Sequence, residues 1–203
     1  MPGKDQEAAD TVAAPSPDGY QSLRTGMSFA FDLHATSQAK RGRLSRRTIV
    51  DADVLLDAYA RAAARLRSLD AVRVGVLWRS PVRGAAQFCD RLQAGGVASS
   101  VTGALAADLL AAYLTEIEPC EIYVDGRSPA ELRQIARNIG LEQALGGRLI
   151  LRPFPTPSKD ALSARIDGMT VAAWPRVFSD LRPIGVRGEE AAEHLREQRG
   201  NTL

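Results

Sequence analysis

Twice in this chain a short apolar run gives way to Arg-Ser-Pro, at Arg79–Pro81 and again at Arg127–Pro129. This is how a helix begins: the serine oxygen accepts from an orphan backbone N–H, and proline in the first helical turn loses no bond. Ser80 and Pro81 therefore open "RSPVRGAAQFCDRLQAGG", which Gly95–Gly96 close. Ser128 and Pro129 open "SPAELRQIARNIG", with Glu131 at the capping-box position and Gly140 as the stop. Each of these helices follows a strand-like run, "AVRVGVLW" (Ala71–Trp78) and "CEIYVDG" from Cys120. A chain punctuated in this way is restricted to layers of helix on sheet.

The remaining segments extend the alternation. Asp51 or Asp53 can cap a helix whose apolar positions Leu55, Tyr59, Ala62, Leu66 and Leu69 recur at helical spacing. "VASSVT" (Val97–Thr102) reads as a short strand. A helix follows it from Gly103, with Leu105, Leu109, Ala112 and Tyr113 on one face. "GRLILRPF" (Gly147–Phe154) is a further strand. "SARIDGMTVAAW" reads as strand, turn, then a helix starting near Ala172 with Pro175 in its first turn. The last helix is expected after Gly188, rich in glutamate early and arginine late as its dipole prefers. The expected fold is α/β (or α+β), with helices packed on a mixed sheet over 51–203.

Charge is unevenly spread. The net +2 comes from an acidic first segment and one basic run. Residues 1–39 hold five acids against two bases, whereas Lys40 to Arg47, "KRGRLSRR", holds five bases and no acid. Residues 1–27, rich in Ala, Pro, Asp, Gly and Ser, are read as a disordered tail. Residues 28–50 are read as a basic arm or linker, with "MSFAFDLHA" from Met27 able to hold a short strand. The basic run is either a solvated linker or a phosphate-binding arm. Its lack of acids, its possession of the whole positive excess and its place beside a balanced domain favour binding through Lys40, Arg41, Arg43, Arg46 and Arg47. Arg61, Arg65 and Arg67 are candidates to extend the patch.

Several classes are disfavoured. No run approaches the ~18 apolar residues of a membrane span, and the N-terminus has no apolar signal region. A cytoplasmic protein is expected. Cys89 and Cys120 have no metal-ligand spacing and are expected to be buried thiols. His34 and His194 have no nucleophile at motif spacing. One glycine in "VTGALAADLL" makes no phosphate cradle; Gly103 is expected to let strand and helix approach closely.

The strand "EIYVDG" is the one stretch with the outline of a metal site. Nucleotidyl transfer holds Mg²⁺ between neighbouring carboxylates, commonly at i and i+2 on one strand face. Here Glu121 is followed at i+2 by Tyr123, and Asp125 lies about 13 Å further along at ~3.3 Å per residue. The middle ligand is missing, so no catalytic residue, metal or cofactor is expected.

The order "RTIVDADVLLDAYARAAARL", "RSPVRGAAQFCDRLQ", "VTGALAADLLAAYLT", "EIYVDG", "GGRLILRPF", "RGEEAAEHLRE" resembles the C-terminal region of AbiEi-family antitoxins, over roughly residues 41–199. The resemblance implies a non-enzymatic transcriptional regulator of a type IV toxin–antitoxin system with a degenerate nucleotidyltransferase-like domain. It also implies DNA as a partner, and a nucleotidyltransferase-type toxin opposed without required direct contact. Family members carry a winged helix ahead of this region; residues 28–50 leave room for its last wing strands at most. A small Mg²⁺-dependent nucleotidyltransferase-like enzyme using Glu121 and Asp125 stands as the alternative, and an adaptor domain as a third reading.

Overall fold

The computed structural model describes residues 36–38, 47–66, 70–156 and 162–200. The chain divides into two compact units, Met1–Leu55 and Leu56–Leu203. In the first, β1 (Thr36–Gln38) pairs antiparallel with β2 (Arg47–Ile49), Thr36 opposite Ile49 and Gln38 opposite Arg47. The residues between these strands, with Lys40, Arg41, Arg43 and Arg46, lie outside the described residues, as do Met27–Ala35 and the tail 1–27.

Helix α1 (Ala52–Leu66) crosses the division between the units. Asp51 caps it, its carboxylate accepting from Val54 N at 2.9 Å. The buried positions are Leu56, Ala58, Ala60 and Ala63, none of them on the expected stripe, and Tyr59 is 40% exposed. In so alanine-rich a helix several faces are apolar enough to bury, and packing chooses among them. Leu69 lies outside the described residues.

The second unit is a six-stranded mixed sheet with helices on both faces. Its elements are β3 (Val72–Val74), α2 (Pro81–Ala94), β4 (Ser99–Thr102), α3 (Gly103–Leu110), β5 (Cys120–Val124), α4 (Pro129–Asn138), β6 (Leu149–Pro153), β7 (Ala164–Ile166), β8 (Met169–Val171), α5 (Trp174–Leu181) and α6 (Val186–Gly200). A 3₁₀ turn, Arg182–Ile184, joins α5 to α6. The strand order is β3-β6-β5-β4-β8-β7. The pairs β5–β6 and β4–β8 are parallel; β3–β6, β4–β5 and β7–β8 are antiparallel. This is the α/β architecture that the alternation of elements implies.

Local signals place the helix starts well. Ser80 Oγ accepts from Arg83 N at 3.4 Å, and Ser128 Oγ from Glu131 N at 3.3 Å. Glu131 in turn accepts from Arg127 N at 2.8 Å. Three expectations change. "SARIDGMTV" is a hairpin of two strands, because Asp167 (φ 48°) and Gly168 (φ 80°) make the paired left-handed turn that Asp-Gly favours. Helix α3 stops at Leu110, where Arg199 of α6 caps the carbonyl at 2.7 Å, and Tyr113 lies beyond the helix. Gly188 lies inside the first turn of α6 rather than before it, and what requires the glycine is close approach, since a Cβ there would stand 2.3 Å from the Leu181 carbonyl oxygen.

Candidate functional site

Side chains on a strand alternate, so one residue in two faces each side of the sheet. On β5, Cys120, Ile122 and Val124 share the face on which Val72, Val74, Leu149, Leu151, Val101 and Val171 form the core with α2 and α4. The opposite face is polar. The register sets Thr102 across from Glu121, Ser100 across from Tyr123, and Tyr123 across from Arg152, with Arg73 at the end of the row through Ile150. Ser100, Thr102, Glu121 and Tyr123 are nonetheless all buried, at 0%, 0%, 6% and 3% exposure. Buried polar groups need partners.

Helix α5 supplies them at the centre. Asp180 Oδ2 accepts from Thr102 Oγ1 and from Tyr123 OH, both at 2.6 Å. Arg176, one turn earlier on α5, donates Nη2 to Asp180 Oδ1 at 2.8 Å and Nε to Tyr123 OH at 2.9 Å. Its guanidinium also lies 5.4 Å from the Tyr123 ring centroid. Burial, then the Asp180 charge, push the Tyr123 hydroxyl far above its ordinary value of 10, so it remains a neutral donor. Burial opposes the charge on Arg176, but Asp180 and Tyr123 outweigh it and its pKa rises. The network is held together by one carboxylate.

Further along the same face, Arg152 Nε donates to Glu121 Oε2 at 2.6 Å, with both side chains largely buried. An arginine in that position puts a positive charge where a cation bound by Glu121 would sit. Asp125 lies just beyond β5 and is exposed. Among the described residues, no three His, Cys, Asp or Glu side chains stand close enough to hold a metal ion. The strand "EIYVDG" thus places Glu121 in an ion pair and Tyr123 in the Asp180 network.

Gly103, at the start of α3, has φ +64°, and a Cβ there would lie 3.5 Å from the Glu121 side chain, an ordinary separation. Its glycine is required by the left-handed backbone and not by close approach. Cys89 and Cys120 are buried free thiols. Burial pushes Cys89 up to about 11, and burial followed by the Glu118 charge pushes Cys120 up to about 12. Both are protonated at neutral pH and poor nucleophiles. His194 stacks on Tyr113 with centroids 4.8 Å apart. Arg47 opens β2; Arg61 and Arg65 are exposed on α1, and Arg67 lies outside the described residues.

Sequence reasoning missed the α5 contribution. The available signal was Arg176 and Asp180 at i and i+4 within an otherwise apolar helix, the spacing of an intrahelical ion pair. Family models, curated proteins and solved structures were compared with the chain, and none of the three comparisons yields a match. No helix among the described residues is long and apolar enough to cross a membrane.

Proposed function

We propose that this chain is a non-enzymatic antitoxin and transcriptional regulator of the AbiEi type, acting in the cytoplasm on a type IV toxin–antitoxin system. It contacts nucleic acid through Lys40, Arg41, Arg43, Arg46 and Arg47, and opposes a nucleotidyltransferase-type toxin without needing to bind it. The observation that carries the nucleic-acid part is the pairing of β1 with β2 at the two ends of the basic run. Antiparallel strands joined by a cluster of cations are the plan of a basic ribbon, such as the wing of a winged helix, which lays its charge along phosphates. Support for a role without catalysis comes from Glu121, whose carboxylate is committed to Arg152.

The test is DNA retention at several salt concentrations, wild type against a variant reversed at Arg41, Arg43, Arg46 and Arg47. Binding should weaken uniformly across DNA sequences. The dependence of log K on log salt should flatten by about 0.9 for every phosphate that the variant no longer neutralises. Retention unchanged by the reversal would sink the proposal.

A further inference from the structure

Beside the Asp180 network lies a cavity of about 300 Å³ that neither the regulator reading nor the buried core accounts for. Its deep end is made by Ser100, Tyr123 and Ala172, all buried, and its open end by Tyr59 and the Phe154–Thr156 segment after β6. Ser100 is fully buried, and its hydroxyl has no hydrogen-bond partner among the described residues. An unpaired buried hydroxyl is costly, and such groups in native proteins commonly mark a missing ligand or water. The side chains around that hydroxyl's cavity are mainly apolar or aromatic, those of Ala172, Ala173, Pro175, Phe154 and Tyr123 among them.

The walls narrow the chemistry. Tyr123 and Phe154 stack with centroids 5.8 Å apart, and Tyr59 adds a third aromatic side chain, 40% exposed. Flat apolar faces with a few convergent polar groups suit a planar ring. Arg176 also lines the cavity, but Asp180 cancels its charge at 2.8 Å, so the site has no excess charge to draw in an anion. The volume is at the small end for ligand pockets and matches a single ring system rather than a longer ligand.

We infer that this cavity binds a neutral planar heteroaromatic group of nucleobase size, stacked against the aromatic wall with a polar ring edge on Ser100 Oγ. The base can be presented by a free nucleoside or by an unpaired nucleotide of a single strand, since both offer the same π-face and edge. This inference does not rest on the regulator reading. Nucleosides carry no phosphate, so the basic run between β1 and β2 contributes nothing to their binding.

Ligand-observed NMR and calorimetry on the full chain provide the test, with adenosine, guanosine, cytidine, uridine, indole and a short oligothymidylate as probes. At least one nucleoside should bind in the micromolar to millimolar range. Ser100→Ala should weaken it about tenfold without lowering the melting temperature, and Phe154→Leu should weaken it as well. The variant reversed at Arg41, Arg43, Arg46 and Arg47 should bind that nucleoside like wild type, while oligothymidylate binding falls if the strand is its natural source. Oligothymidylate binding that is insensitive to Ser100→Ala identifies the free nucleoside as the source. Indole binding without any nucleoside, no binding by any probe, or nucleoside binding unaffected by both substitutions would each overturn the inference.

Discussion

Along β5 the two faces of the sheet are equally dry and differently built. On β5 every side chain from Cys120 to Val124 is buried, yet Cys120, Ile122 and Val124 belong to the apolar core while Glu121 and Tyr123 meet charged partners. Burial alone therefore does not distinguish a core face from a candidate site. An apolar side chain needs only to be surrounded, and many neighbours serve equally. A buried carboxylate or hydroxyl needs particular partner atoms at particular distances, and losing one strands the others. The apolar face should tolerate graded changes in volume, whereas the polar face should fail steeply.

The sharpest way to break this comparison is to set Asp180→Asn against Ile122→Val. The first keeps volume but removes the charge that neutralises the buried Arg176 and anchors Thr102 and Tyr123. Breaking such a pair is expected to cost about 3–5 kcal/mol. Shaving one methylene at Ile122 should cost about 0.5–1.5 kcal/mol. Denaturant unfolding measures both, and equal costs would remove the distinction between the faces.

A smaller effect probes the seam between sheet and helix on the polar side. Gly103→Ala should destabilise by about 1–2 kcal/mol, all from forcing an L-residue into the left-handed region. The new methyl group would stand at an ordinary van der Waals distance from Glu121. A neutral result in thermal unfolding would mean that α3 can start without that backbone conformation.

The smallest effect is on the rim, where Glu118 accepts from Arg148 Nε and Nη2 and from Trp78 Nε1, all at 2.6 Å. Burial works to raise the Glu118 pKa, but the hydrogen bonds from Arg148 and Trp78 outweigh it and hold it below its ordinary 4.5. A carboxylate depressed in the folded state stabilises above its unfolded pKa, and that contribution is lost as pH falls through the folded value. Glu118→Gln should thus lower the melting temperature slightly at pH 7, and the gap should close as the pH falls through the depressed folded value. A gap that persists at strongly acidic pH would point to packing rather than charge.

How far each face can be read in advance follows from these same residues. Ser80, Pro81, Ser128, Pro129 and Gly140 announce the ends of α2 and α4, because a cap and its partner lie within four residues of each other. The hairpin at Asp167–Gly168 is equally local in its cause, although the expected strand and turn stop short of its second strand. The face of α1 is not legible, because alanine on all sides leaves the periodicity weak. The candidate site is half legible: Glu121 and Tyr123 stand out along a single strand, whereas nothing near Arg152, Arg176 or Asp180 in the chain ties them to it.

By itself, the sequence determined the alternation of strands and helices, the starts of α2 and α4 and the one concentrated basic run. These are properties of neighbouring residues and survive in any fold the chain could adopt. Only the tertiary structure decided what the polar side chains of β4 and β5 do. Thr102 meets Asp180 across 78 positions, Tyr123 meets it across 57, and Glu121 meets Arg152 across 31. Pairings of that range have no local signature, because the order of strands in the sheet, and not the spacing along the chain, brings the atoms together. The cavity beside Ser100 has the same origin: strand register and the start of α5 enclose it, and no stretch of sequence contains it.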